Sequence, residues 1–154
     1  MDRSFAVEQA GVENLEAALP LIERFFREEG FRAAPGQIPA ELLHLLEDPE
    51  SAVFLAWRGD RTVGIATVTT TEGIELGSSA EMEDLYVLPE ARRSGVGRAL
   101  IEAVAAWCRR QGCSLVSVIV TPEGQAAHDL IGYYRSHGFH ETGRTILFYN
   151  LDRP

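Results

Sequence analysis

The sequence predicts an α/β fold in which helices cover both faces of a mixed sheet. Strand and helix patterns alternate along the chain in the order β-α-α-β-β-β-α-β-α-β-β. In the middle of this order, a strand, a glycine-containing loop and an apolar helix follow one another directly. With 154 residues the chain is long enough to bury one core, so we expect a single domain over residues 1–154.

The N-terminal half of the chain predicts short alternating strands around two helices with apolar residues at helical spacing. The predicted elements are a strand at 5–7, helices at 14–29 and 40–47, and strands at 52–58 and 62–71. Pro20 lies inside the first helical pattern. Because proline lacks an N–H group and its ring clashes with the preceding turn, we expect it to kink or split this helix.

The C-terminal half predicts the remaining strands and two more helices. These elements are a central strand at 82–87, a helix at 96–111, a strand at 114–120, a helix at 125–136 and two last strands after Gly138-Phe139, of which the one at 145–151 is the clearer. The β-branched run at 114–120 is typical of a buried strand. The apolar residues Ile146, Leu147 and Phe148 suit either a core or a dimer edge, so a homodimer stays open.

The junction between the central strand and the next helix has the composition of an anion site. Gly95 and Gly97 lack a Cβ atom, so backbone N–H groups can approach a ligand closely there. The unpaired N–H groups of the first helical turn point into the same space. Arg92, Arg93 and Arg98 add positive charge, and the loop therefore predicts a phosphate or pyrophosphate site.

Two common phosphate motifs are excluded by the residues present. A dinucleotide-binding fingerprint needs a glycine where Leu100 stands, and a P-loop needs a lysine, which the chain lacks entirely. All basic residues are arginine, so lysine Schiff-base chemistry is excluded as well. The two cysteines, Cys108 and Cys113, make neither a disulfide framework nor a zinc site, and we expect no metal.

The remaining pattern, Arg92-x-x-Gly95-x-Gly97, resembles the pyrophosphate loop of the GCN5-related N-acetyltransferases, the GNAT superfamily. The resemblance implies the acyl-CoA N-acyltransferase fold, with three layers and a splayed central sheet, and acetyl-CoA as the acyl donor. It implies that backbone groups of Leu85, Tyr86 and Val87 pair with the pantetheine arm, and that a backbone N–H at Val87 supports the oxyanion. The residues implied to hold the pyrophosphate are Arg92, Arg93, Ser94, Gly95, Val96, Gly97 and Arg98.

A second motif at residues 133–139 resembles the other superfamily signature, in which an apolar-aromatic pair precedes Gly-Phe. By this resemblance, Tyr134 binds near the sulfur of coenzyme A and donates a proton to the thiolate leaving group. The sequence departs from the family seven residues earlier, where an Asn-x-x-Ala pattern is common. Ala127 and Leu130 stand there, so either His128 or Asp129 would have to replace the missing amide.

An amine must lose a proton to attack an acetyl group, and a carboxylate on the central strand can accept it. Glu81 is the first candidate, because it aligns with the glutamate base on this strand in some relatives; Glu83 and Asp84 are alternatives. Regular alternation puts Glu81 and Glu83 on one face and Met82 and Asp84 on the other. A β-bulge in this strand would break that alternation.

Charge limits the partners of this chain. The net charge is -9, which argues against nucleic acid and anionic membranes. Every charged residue from 72 to 90 is acidic, which suits a cationic acceptor such as a polyamine or amino sugar. In this architecture the first two helices usually wall the acceptor site. The candidate contacts there are Phe25, Phe26, Phe31, Arg32 and His44.

The combined prediction is an N-acetyltransferase that moves an acetyl group from acetyl-CoA to a primary amine of a small molecule. A peptide or protein N-acetyltransferase and a non-catalytic CoA-binding module are the alternatives. No apolar run reaches bilayer length, and residues 1–4 do not begin a signal peptide, so we expect a cytoplasmic protein.

Overall fold

The local patterns of the sequence account for most elements of the fold. The computed structural model describes residues 4–152; residues 1–3, which belong to the stretch considered for a signal peptide, lie outside that range. In chain order the helices and strands are β1 Ala6–Gln9, α1 Leu15–Glu29, α2 Gln37–Glu47, β2 Ser51–Arg58, β3 Arg61–Gly73, β4 Gly77–Val87, α3 Val96–Arg110, β5 Val116–Ser117, α4 Pro122–His128 and α5 Leu130–Ser136.

The chain divides into two compact units between Ile119 and Val120. The first carries the sheet with α1, α2 and α3, and the second carries α4, α5 and the segment after them. Within residues 4–152, none of the helices has the length and apolar character that crossing a membrane requires.

The sheet has the order β1-β2-β3-β4-β5, with β1 to β4 antiparallel and β5 parallel to β4. Helices cover both of its faces. On one face, a Cβ atom added to Gly64 of β3 would lie 2.9 Å from Val96 and 3.0 Å from Leu100, so α3 packs directly on the strand. On the other face, Phe25 of α1 contacts Tyr86 of β4 at 5.4 Å between ring centroids. The predicted mixed sheet between helices is confirmed.

A β-bulge interrupts the pairing of β3 with β4. Thr67 pairs with Asp84, but the next residue, Val68, pairs with Met82, so Glu83 is the extra residue. Because opposite residues in a ladder share a face, Asp84 lies on the Thr67 face of the sheet. Simple alternation along β4 is therefore wrong for this strand.

β4 and β5 pair over a very short distance. Their partners are Ala80 with Val116 and Glu81 with Ser117, and β4 from residue 82 onward pairs only with β3 among the described residues. The predicted buried strand at 114–120 is correspondingly wrong in extent, and Leu115 and Ile119 are exposed. A strand needs a partner strand for its N–H and C=O groups, and β5 diverges from β4 after the Glu81–Ser117 pair. The rest of the predicted strand therefore does not form. This divergence is the splay of the central sheet.

Two helix predictions need correction. α1 continues through Pro20 as one helix, so the split that was one of the two expected effects of Pro20 does not occur. Pro20 is exposed, so water can satisfy the carbonyl group that loses its N–H partner. The predicted helix at 125–136 is two helices, because Asp129 adopts a left-handed conformation at φ 46 and its carboxylate accepts a hydrogen bond from the Gly132 N–H.

The predicted last strand at 145–151 does not form in the described part of the chain. Ile146, Leu147 and Phe148 are exposed, and the described residues offer this segment no strand partner. A β-prone sequence forms a strand only when another strand satisfies its backbone groups.

We expect Gly64→Ala to destabilise the protein by about 1–3 kcal/mol, because the added methyl group would overlap Val96 and Leu100 of α3. The matched control is Gly73→Ala on the same strand, where an added Cβ atom meets nothing within 4 Å. Urea unfolding of both variants measures the difference. Equal midpoints would show that α3 does not pack on β3 in this way.

Candidate active site

The loop before α3 presents unpaired backbone donors. Gly95 caps the helix at φ 89 and gives it no side-chain acceptor. The Ala99 N–H bonds to the Gly95 carbonyl at 3.0 Å. The N–H groups that precede it, those of Val96, Gly97 and Arg98, therefore have no acceptor within the helix. Together with the helix dipole they form a site for an anionic group.

The three arginines of the loop differ in their surroundings. The Arg92 Nε donates to the Val87 carbonyl at 2.9 Å, and its Nη2 pairs with Glu28 of α1 at 3.2 Å. Arg98 pairs with Glu102 at 2.9 Å. Arg93, in a left-handed conformation at φ 61, is exposed and forms no ion pair within residues 4–152. Arg93 is the loop cation most available to a phosphate.

Beyond Glu81, the edge of β4 that faces away from β3 is open, since no strand of residues 4–152 pairs with it. The Leu88 N–H bonds to the Val63 carbonyl at 2.9 Å, which marks these two residues as a hydrogen-bonded pair. In an antiparallel ladder such pairs alternate with pairs that point outward. Backbone groups of Leu85 and Val87 therefore point to the open edge, whereas those of Tyr86 face β3.

The side chain of Tyr86 lies between α1 and the loop. Its ring packs against Phe25, and the Arg92 guanidinium lies 5.7 Å from the ring centroid. The hydroxyl group is buried and has no partner in hydrogen-bonding geometry among the described residues. Burial and the nearby Glu28 carboxylate raise the pKa of Tyr86 to about 12. Tyr86 therefore stays protonated and acts through packing.

A pocket of about 240 Å³ lies on the α1 face of the sheet, with walls of apolar residues and several carboxylates. Its lining residues are Ile22, Phe26, Gln37, Ile38, Glu41, Leu42, Leu45, Thr67, Glu83 and Asp84. Of the aromatic and polar residues proposed from the sequence for the acceptor site, Phe26 belongs to this lining. Sequence reasoning missed Gln37, Glu41 and Thr67. Glu41 and Thr67 lay on a predicted helix and a predicted strand, whereas Gln37 fell in the stretch before the helix predicted at 40–47.

Asp84 is the most enclosed carboxylate of the pocket. Thr67 is 2% exposed. Its hydroxyl group donates a hydrogen bond of 2.5 Å to Asp84 Oδ2. Burial raises the pKa of Asp84; the hydrogen bond from Thr67 acts against this and the charge of Glu83 adds to it. Burial and then Glu83 also raise the pKa of Glu81, but Glu81 is not among the residues that line the pocket.

The second unit places Tyr134 on α5. Its ring is half-buried between Tyr133 and Phe139, with centroids 5.3 Å away in each case. The Phe139 N–H bonds to the Tyr134 carbonyl at 3.1 Å and closes the helix. Ala127 is exposed on α4 and offers no polar side-chain group.

Comparison with known proteins gives the class of this molecule. The family described as "Acetyltransferase (GNAT) family" matches residues 15–139. The chain belongs to this family and is an acetyl-CoA-dependent acetyltransferase, which confirms the resemblance found in the sequence.

Relatives with defined names are also similar to the chain. Aminoglycoside N(6′)-acetyltransferase type 1 from Stenotrophomonas maltophilia is 41% identical over 113 residues, covering 70% of this chain and 72% of that enzyme. The structure of aminoglycoside N-acetyltransferase AAC(6′)-Iy in complex with CoA has a TM-score of 0.80 at 22% identity, covering 96% and 95% of the two chains. An aminoglycoside acetyltransferase from a soil metagenome, in complex with sisomicin, has a TM-score of 0.79 at 22% identity, covering 97% of each chain.

We predict that Arg93→Gln weakens acetyl-CoA binding by roughly two- to fivefold, because an exposed charge pair contributes about 0.5–1 kcal/mol. Calorimetric titration at low and high salt measures this, and the loss should shrink at high salt. Arg110→Gln, at the far end of α3, is the control. If both variants bind acetyl-CoA equally well, the loop does not use Arg93.

We predict that Asp84→Asn raises the free energy of unfolding at pH 7. The raised pKa of Asp84 means that the folded state holds the proton more tightly than the unfolded state. That stabilisation is complete below the unfolded pKa of about 3.9 and is lost as pH rises through the folded pKa. The variant removes a partly buried charge at pH 7 and should therefore gain its advantage there, not at low pH.

Urea unfolding at pH 7 and near pH 4 checks this stability prediction. Asp60→Asn, in the exposed turn between β2 and β3, is the matched control. An Asp84→Asn variant that is less stable than wild type at pH 7 would contradict the assigned burial of the carboxylate.

Proposed function

We propose that this enzyme transfers the acetyl group of acetyl-CoA to a primary amine of a small molecule, and that the acceptor is an aminoglycoside amino group. The observation that carries this proposal is the pocket on the α1 face, in which apolar walls meet the carboxylates of Glu41, Glu83 and Asp84. The names of the relatives, several of them aminoglycoside N(6′)-acetyltransferases, point to the same acceptor.

The chemistry of the pocket suits an ammonium group on a compact scaffold. Carboxylates attract a cation, and the apolar walls limit its hydration, which strengthens the attraction. At about 240 Å³, the pocket lies just below the usual range of roughly 300–1,000 Å³ for drug-sized ligands. It can therefore take one amino-sugar ring of a larger acceptor while the rest stays outside.

The acyl donor would lie along the neighbouring edge of β4. Backbone groups of Leu85 and Val87 are oriented to pair with an extended ligand there, and the Val87 N–H is available to stabilise a developing oxyanion. The loop at residues 92–98 would bind the pyrophosphate. A carboxylate of β4, with Glu81, Glu83 and Asp84 as the candidates, accepts the amine proton, and Tyr134 is proposed to protonate the departing thiolate.

The residues of this mechanism belong to both compact units. The family match extends from residue 15 to residue 139 and includes both sides of the division at Ile119. This supports the proposal that residues 1–154 act as one catalytic domain.

Steady-state release of the CoA thiol tests the proposed acceptor. We expect turnover with an aminoglycoside that carries a 6′-amine, and a loss of at least about 100-fold in kcat/KM with its 6′-hydroxyl counterpart, since only the amine is a competent nucleophile. Short peptides with free amino termini should react poorly. Preferred acetylation of peptides would replace this proposal, and acetyl-CoA binding without turnover on any amine would indicate a binding module.

A further inference from the structure

We infer that Asp84 is the carboxylate that accepts the proton of the acceptor amine, and that Thr67 is the residue that positions it. This inference rests on the proposed acetyltransferase function and specifies which acidic residue of β4 performs the step. It places the base at Asp84, the residue that follows the bulge at Glu83, and not at Glu81.

The first argument is location. Asp84 lines the acceptor pocket. It lies three residues before Val87 on β4, and the Val87 N–H points to the open edge of this strand. At about 3.3 Å per residue, the Asp84 Cα lies roughly 10 Å from that of Val87 along the strand, whereas Glu81 lies nearly twice as far. An acceptor amine in the pocket can therefore reach Asp84 directly or through one water molecule.

The second argument is orientation. The Thr67 hydroxyl occupies Asp84 Oδ2, so Oδ1 remains the oxygen that can face the pocket. Thr67 is almost fully buried on the central strand β3, and cross-strand pairing places it directly opposite Asp84. A buried hydroxyl on a rigid strand holds the carboxylate in one orientation, which proton transfer requires.

The third argument is the charge around Asp84. Glu83 is adjacent on β4, and Glu41 of α2 lines the same pocket. Glu81 shares the face further along β4, since Thr69, its partner, lies on the same side as Thr67. The pocket residues from α1 and β3 are Ile22, Phe26 and Thr67, which are uncharged. The surrounding negative charge favours the protonated form of the Asp84 carboxyl group, which supports its role as the proton acceptor.

The proposed step is balanced. The amine nitrogen forms a bond to the acetyl carbonyl carbon, the carbon–sulfur bond of the thioester breaks, and Asp84 Oδ1 takes the proton lost from nitrogen. The thiolate receives a proton from the proposed acid Tyr134. The Asp84 proton then leaves to solvent and Tyr134 takes a proton back from solvent, which returns both groups to their starting states.

The experiment is the pH dependence of kcat/KM for an aminoglycoside at saturating acetyl-CoA. Asp84→Asn should lower kcat/KM by about 100-fold or more at neutral pH and replace the acidic limb set by Asp84 with one set by the ionisation of the acceptor amine itself. Thr67→Val removes the hydrogen bond that favours the ionised form, so the acidic limb should move to higher pH, with activity recovering in alkali. Glu83→Gln removes a neighbouring negative charge, so its limb should move the opposite way, to lower pH.

Matched controls separate positioning from structure. Thr67→Ser keeps the hydroxyl and should keep the wild-type profile, and Thr71→Val makes the same substitution at an exposed position of β3. Glu81→Gln tests the competing assignment of the base, and the acidic limb should remain in this variant. A ¹³C-carboxyl titration of Asp84 in the free protein should show a higher pKa in Thr67→Val than in wild type, independently of turnover.

The outcomes are distinguishable. An active Asp84→Asn variant with an unchanged acidic limb, or a Glu81→Gln variant that loses this limb, overturns the assignment of Asp84 while the acetyltransferase proposal stands. A Thr67→Val variant that loses the same fraction of activity at every pH overturns the positioning role. A wild-type enzyme that acetylates no amine overturns the proposed function and the base assignment with it, while the carboxyl titration still reports on Thr67.

Discussion

The bulge at Glu83 determines which side chain of β4 faces the pocket and which of its backbone groups face the open edge. The bulge brings Asp84 onto the face of Thr67, where α1 and α2 leave a pocket. It also shifts the backbone, so that Leu85 and Val87 direct their polar groups to the open edge. If β4 kept the same residues but alternated regularly instead of bulging, Asp84 would lie on the α3 face and Tyr86 would take the place of Val87 at the edge. One irregularity thus aligns the acidic pocket with the open edge of β4 along which the acyl donor is proposed to lie.

The two helical layers perform different tasks around that strand. α3 packs closely on β3 because Gly64 has no side chain, and this contact fixes the start of the helix next to the end of β4. Its unpaired N–H groups favour an anion there. α1 and α2 instead stand apart enough to leave a pocket with carboxylates. The N–H groups at the start of α3 therefore favour negative charge, whereas the carboxylates of the pocket favour positive charge.

Arg92 links these two regions. Its guanidinium group bonds to the Val87 carbonyl and to Glu28 of α1, so the end of β4 and the pocket helix are held together. This differs from the purely anion-binding role that the loop pattern predicts for Arg92. The pattern could not reveal it, because Glu28 is 64 positions away in the sequence and meets Arg92 only in the folded chain.

The sequence by itself determined the family, the mixed sheet between helices, the loop at residues 92–98 and the acidic character of β4, because each is encoded by neighbouring residues. Tertiary structure alone decided which acidic side chain enters the pocket, since the bulge at Glu83 depends on the register between β3 and β4. It also decided that residues 114–120 and 145–151 do not extend the sheet as predicted, because β-prone residues need a partner strand. Local propensity predicts which elements a segment can form, but pairing and burial select the contacts they make.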